Sequence, residues 1–232
     1  MKNVIKKMFF PVLAISIMIA YTACSNDESV RIQEQSHLIK VGKEFAKIHN
    51  ECLAYVYKDL TSAKTRTSLK NEMDVKQLFV SSINRYITQN TTRVISEEDA
   101  PIKLSDYNLS IDDIAKTLSE KETYYVNKAL MSERTSIETL LKEVDLDTEL
   151  KKENKQAVIT FITTLQASSE YWEQHLGEWN ELFNKPQTRA SVKEVAIADA
   201  WWGYQGLMSS GLNLLVGGGA AALASACAAF LH

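Results

Sequence analysis

Proline is scarce in this chain, three in 232 residues, and no segment sustains polar–apolar alternation between turn dipeptides. A fold of many short strands is therefore not supported. Cysteine is equally sparse, with three, which excludes a disulfide-stapled miniprotein. Neither sign of charge dominates: 26 Lys+Arg stand against 29 Asp+Glu, a formal net charge of -3. That balance gives no electrostatic reason to expect nucleic acid as a partner. Histidine occurs only at His37, His49, His175 and His232. A helical di-iron centre needs Glu three residues before His on facing helices, and only Glu34/His37 has that spacing. No His-Glu-x-x-His, Cys-x-x-Cys or acidic calcium loop occurs either, so no metal or cofactor is expected.

What is present is globular: 45% hydrophobic, 24% charged, and long enough for one domain of moderate size with a tail. The first 24 residues have a separate character. Lys2, Lys6 and Lys7 precede a mostly apolar run from Met8 to Ala20, which is short for a bilayer span, and Tyr21-Thr22-Ala23-Cys24 follows. A basic start, a short apolar stretch and a small residue before the cut are the parts of an export signal. Thr22-Ala23-Cys24 resembles a lipobox, with Tyr21 where an aliphatic residue is usual. The resemblance implies cleavage before Cys24 and acylation of that cysteine. Ser25-Asn26-Asp27-Glu28-Ser29, a short acidic run after it, resembles the export signal of surface lipoproteins in Bacteroidota. The chain is thus expected to be a lipid-anchored (palmitate-bearing) outer-membrane lipoprotein, periplasmic or surface-exposed, touching the membrane through its N-terminal lipid. Losing residues 1–23 removes three lysines and no acid, which takes the net charge from -3 to -6.

Beyond a tether over 24–37, the body reads as helix after helix. Leu38, Val41, Phe45, Ile48, Cys52, Tyr55, Val56 and Leu60 recur at spacings of three and four, one buried helical face. The polar run 61–68 breaks that pattern, and Val75, Leu78, Phe79, Ser82, Ile83, Tyr86 and Ile87 form a second stripe. Residues 90–109 lose periodicity around Pro101 and read as a loop. Ser110-Ile111-Asp112-Asp113, Ser119–Glu122 and Ser191–Glu194 each offer a helix start, a hydroxyl followed three residues later by a carboxylate. The second opens one segment carrying Val126, Ala129, Leu130, Ile137, Leu140, Leu141 and Val144. After Asp147, Val158, Leu165, Trp172 and Trp179 recur every seven residues until Pro186. The expected fold is all-α, an up-and-down helical bundle over 38–199.

Residues 200–232 stand apart. Ala200 to Leu231 holds no charged residue over 32 positions, and six of the eight glycines lie there. Gly217-Gly218-Gly219 should break or bend a helix, since each internal glycine costs about 1 kcal/mol relative to alanine. Small side chains also let a neighbouring helix come close. The reading is a Gly/Ala-rich helical hairpin buried against the bundle. In composition it is similar to the apolar stretches of small membrane-active bacteriocins, which supplies the alternative: a membrane-inserting device acting through residues 200–231. An interaction tail is the third reading.

Catalytic groups are few. His49 and Cys52 are three apart on one helix, yet Cys52 lies on the apolar stripe and no third group orients the pair. His49-Asn50 reads as a hydrogen-bonding pair on a helix face. With Cys24 acylated, Cys52 and Cys227 remain, an even number able to form a disulfide in an oxidising compartment. No nucleophile elbow or phosphate loop is present. The expected role is structural or interactive, with a protein partner of unknown identity and no enzymatic activity.

Overall fold

The computed structural model describes residues 37–62, 72–90, 111–132, 136–183, 191–209 and 213–230. The chain divides into two units, Met1–Leu38 and Ile39–His232. The first is described only at residues 37 and 38; the helical body is the second. Cys24 and the segment expected to be an export signal lie outside the described residues, as do the stretch around Pro101, the cap candidate Ser110, and Pro186.

The body is an all-α bundle, with eight helices and no strand among the described residues. They are α1 (37–62), α2 (Glu72–Asn90), α3 (Ile111–Ala115), α4 (Glu120–Met131), α5 (Ile137–Leu146), α6 (Lys152–Leu182), α7 (Val192–Ser209) and α8 (Leu214–Phe230). The stripe read on α1 is its buried face: Phe45, Cys52, Val56 and Leu60 are fully buried. Phe79, Ile83 and Ile87 do the same for α2. α6 is the central helix, for Gln156 to Thr164 are buried on every side. Thr163 fits there because its hydroxyl donates back to the Ile159 carbonyl at 2.9 Å. Lower on α6, Trp172 and Trp179 meet edge to face with ring centroids 5.6 Å apart. Phe79 stacks on Trp179 at 5.9 Å, tying α2 to the same aromatic layer.

Helix starts follow the sequence where capping boxes were read. Ser119 accepts from the Glu122 N–H while Glu122 accepts from the Ser119 N–H, and Ser191 and Glu194 pair in the same reciprocal way. One expectation fails between them. The segment from Ser119 through Val144 is two helices, because Ser132 turns to extended backbone (φ -78°, ψ 141°) and helix resumes only at Ile137.

The uncharged C-terminal segment belongs to the same unit as the bundle, and much of its described part is buried. Leu207, Ala221, Ala222, Leu223 and Ala226 are fully buried. The break expected at Gly217-Gly218-Gly219 does not occur; α8 runs through all three. The reason is close approach. A Cβ on Gly206 of α7 would stand 2.7 Å from the Gly217 carbonyl oxygen, so backbone meets backbone where α7 and α8 fold together. The Phe45 ring slots between α7 and α8, near enough that a Cβ on Gly203 would come within 3.2 Å of it and one on Gly217 within 2.9 Å. Dispersion and burial at these contacts outweigh the helix-propensity cost of the glycines.

Candidate functional site

Where α1, α6 and α7 meet, the core contains charge. Asp199 of α7 and His49 of α1 are both completely buried, with His49 Nε2 3.6 Å from Asp199 Oδ2. Ser168 and Trp172 lie one turn apart on α6 and therefore share a face. Both donate to Asp199 Oδ2, the indole N–H at 2.7 Å and the serine hydroxyl at closer range. On the other side of the imidazole, His49 Nδ1 lies 2.9 Å from Asn50 Oδ1, and Asn50 Nδ2 donates to the Ala167 carbonyl at 3.0 Å. The hydrogen-bonding pair read at His49-Asn50 is thus present, extended across to α6. Burial pushes the Asp199 carboxyl up, while His49, Ser168 and Trp172 pull it back toward the ionised form.

Serine, histidine and aspartate therefore gather here, but in the wrong order for nucleophile activation. Ser168 donates to the carboxylate and not to the imidazole, and all three side chains are sealed from solvent. The arrangement positions three helices. Cys52, one turn beyond His49, is a free thiol that burial pushes well above the usual thiol range, which keeps it a small apolar filler. The side chain of Cys227 lies outside the described residues, as does Glu34.

Asp199 escaped the sequence reading although a signal was there. It stands four residues after Val195 and four before Gly203, so an acid occupies the apolar side of its helix. It is also the last charged residue of the chain. A buried acid in that position demands partners.

A second buried acid is less well served. Asp145 on α5 is almost wholly buried, and its Oδ1 finds no hydrogen-bond partner among the described residues. Burial raises its carboxyl to about 6, with Lys155 pulling weakly the other way. The folded state holds this proton more tightly than the unfolded chain, so stability falls as pH rises from about 4 to about 6 and is flat above. Asp145→Asn is expected to remove that fall, gaining about 1 kcal/mol over wild type at neutral pH and little near pH 4. Urea unfolding of both proteins at the two pH values checks this; an equal gap at both would count against it.

At the surface, α4 and α5 border an open groove of roughly 850 Å³ floored by Tyr125 and flanked by Tyr124 and Leu146. Tyr124 and Leu146 are 54% and 61% exposed, and Met131, two turns along α4 from Tyr124, is 86% exposed. Most of the groove's charges are paired: Lys121 reaches Asp147 at 3.1 Å and Glu149 at 2.9 Å, and Lys128 pairs with Glu143. Burial alone would raise Asp147, but donation from Tyr125, the Glu149 backbone and Lys121 wins and holds it at about 2. Comparison of the chain with protein-family models, with curated proteins and with solved structures finds no match in any of the three.

Proposed function

We propose that the chain is an exported lipoprotein, held at the outer membrane by acyl groups on Cys24, whose helical body has a structural or interaction role at the membrane or cell surface. The observation that carries this reading is the burial of the other candidate anchor. Ala221 to Leu223 and Leu207 are fully buried, so α7 and α8 each give apolar residues to the core. No helix among the described residues is long and apolar enough to cross a membrane. A membrane attachment then falls to the N-terminal cysteine, where each buried acyl methylene contributes about 0.8 kcal/mol. The interaction role is supported by the exposed Tyr124, Met131 and Leu146 beside the α4–α5 groove.

Fractionation of cells fed labelled palmitate tests the anchor. The full chain is expected in the membrane fraction and labelled, and Cys24→Ala in the soluble fraction and unlabelled. Membrane retention of Cys24→Ala would move the attachment to residues 200–231 and favour the membrane-inserting reading.

A further inference from the structure

The hydrogen bonds around His49 require a proton that neither residue of the buried pair supplies by itself. Asn50 Nδ2 donates to the Ala167 carbonyl, which can only accept, so the atom that Asn50 turns to the imidazole is its oxygen. That oxygen also only accepts, hence His49 Nδ1 carries hydrogen. A neutral ring then presents a bare lone pair at Nε2, aimed at Asp199 Oδ2 3.6 Å away. A lone pair facing an ionised carboxylate with both groups fully buried is repulsive. Nε2 and Asp199 Oδ1 have no other hydrogen-bond partner among the described residues. One added proton resolves the conflict, either on Nε2 as imidazolium against carboxylate or on the carboxyl itself, and either way the pair is neutral overall.

We propose that His49 and Asp199 form a proton-dependent lock: folding takes one proton from solvent onto this pair, and the seating of α7 and α8 against α1 and α6 weakens as pH rises above neutral. The elements packed around the pair offer no substitute charge. On α1 the neighbouring titratable group is Cys52, kept as a thiol by burial. On α6 it is Tyr171, beside Trp172, whose phenol burial pushes up to about 12. α8 has no charged residue, and its Gly218 lies over the backbone of α1, where a Cβ would come within 3.5 Å of the His49 backbone nitrogen. The lock and the uncharged helix are therefore adjacent.

The sign follows from linkage. A free imidazole releases its proton near pH 6.5, so above that pH the unfolded chain is one proton poorer than the folded pair. The folding constant then falls about tenfold per pH unit while the fold retains its proton. Refolding the full chain from urea at about pH 7.5 in weak buffer with an indicator dye should show uptake of close to one proton per molecule. Asp199→Asn removes the charge while its amide oxygen, at the Oδ2 position, still accepts from Trp172 and Ser168, so a neutral imidazole no longer faces an ionised carboxylate. Uptake and the steep pH slope should both disappear in that variant. No uptake by the wild type, or equal uptake by the variant, overturns the proposal. If Asp199→Asn does not fold, the nitrogen shifts of His49 and the carboxyl carbon shift of Asp199 in the wild type at about pH 7.5 decide: an imidazolium, or a protonated carboxyl beside a neutral ring, supports the lock, and a neutral ring beside an ionised carboxylate overturns it.

Discussion

Deleting residues 200–232 is expected to abolish the cooperative unfolding transition of the body. The cut removes the fully buried Leu207 and Leu223 and the run Ala220 to Ala222, and strips the lid from Phe45 on α1. It also removes Trp201, which packs edge to face on Phe161 of the central helix with centroids 5.1 Å apart. Tyr204 goes too, with its hydrogen bond to Glu122. Each large buried apolar side chain contributes on the order of 2 kcal/mol, and the faces newly opened on α1, α2 and α6 lose a similar amount. The sum is on the order of 10 kcal/mol, comparable to the whole stability of a domain. Far-ultraviolet circular dichroism against temperature should show a broad, low-amplitude change in place of a sigmoid. A truncated body that still melts cooperatively within a few degrees of the full chain would show that the hairpin is an accessory, and a membrane role for it would gain.

The second large effect comes from a single side chain. Gly206→Val places a branched group where even a Cβ would lie 2.7 Å from the Gly217 carbonyl oxygen and 3.3 Å from its carbonyl carbon and Cα. The obstacle is backbone, so no rotamer change relieves it, and α8 must move away from α7 and from the ring of Phe45. A loss of about 3 kcal/mol is expected, roughly 10 °C in melting midpoint for a domain of this size. Gly177→Ala is the matched control. A Cβ there meets nothing within 4 Å, so filling an open mid-helix glycine should add about 0.5–1 kcal/mol. Thermal melts of the two variants beside wild type check the pair; a Gly206→Val protein that melts with wild type would mean that α7 and α8 are not in backbone contact.

The helical architecture was legible because the physics that makes it is local. The three-and-four spacing on α1 and the seven-residue recurrence on α6 report which face is buried, and Ser119–Glu122 and Ser191–Glu194 close their capping boxes within a single turn. Leu165 marks the limit of that reading: it sits at a heptad position between Val158 and Trp172, both fully buried, yet is itself only half-buried and borders a surface pocket beside Val192. Two of the misreadings share one cause. Gly217-Gly218-Gly219 looks like a helix breaker when only propensity is weighed, and what overrules propensity is Phe45 and Gly206, which are remote in sequence. Asp199 likewise gains meaning only when α1 delivers His49 and α6 delivers Ser168 and Trp172. Nothing in a one-dimensional pattern states which helices become neighbours. The division between α4 and α5 was missed for a humbler reason: apolar residues continue in register across Ser132, and no glycine or proline marks the turn.

The single carboxylate of Glu122 serves Ser119, Tyr204 and Asn154 at once. Its Oε2 accepts from Ser119 at the start of α4, while its Oε1 accepts from the Tyr204 hydroxyl at 2.7 Å, from a residue 82 positions further on. The first turn of a surface helix and the docking of a distant hairpin therefore cannot be adjusted independently. A substitution that removes the Glu122 carboxylate therefore loosens the start of α4 and the seat of Tyr204 together.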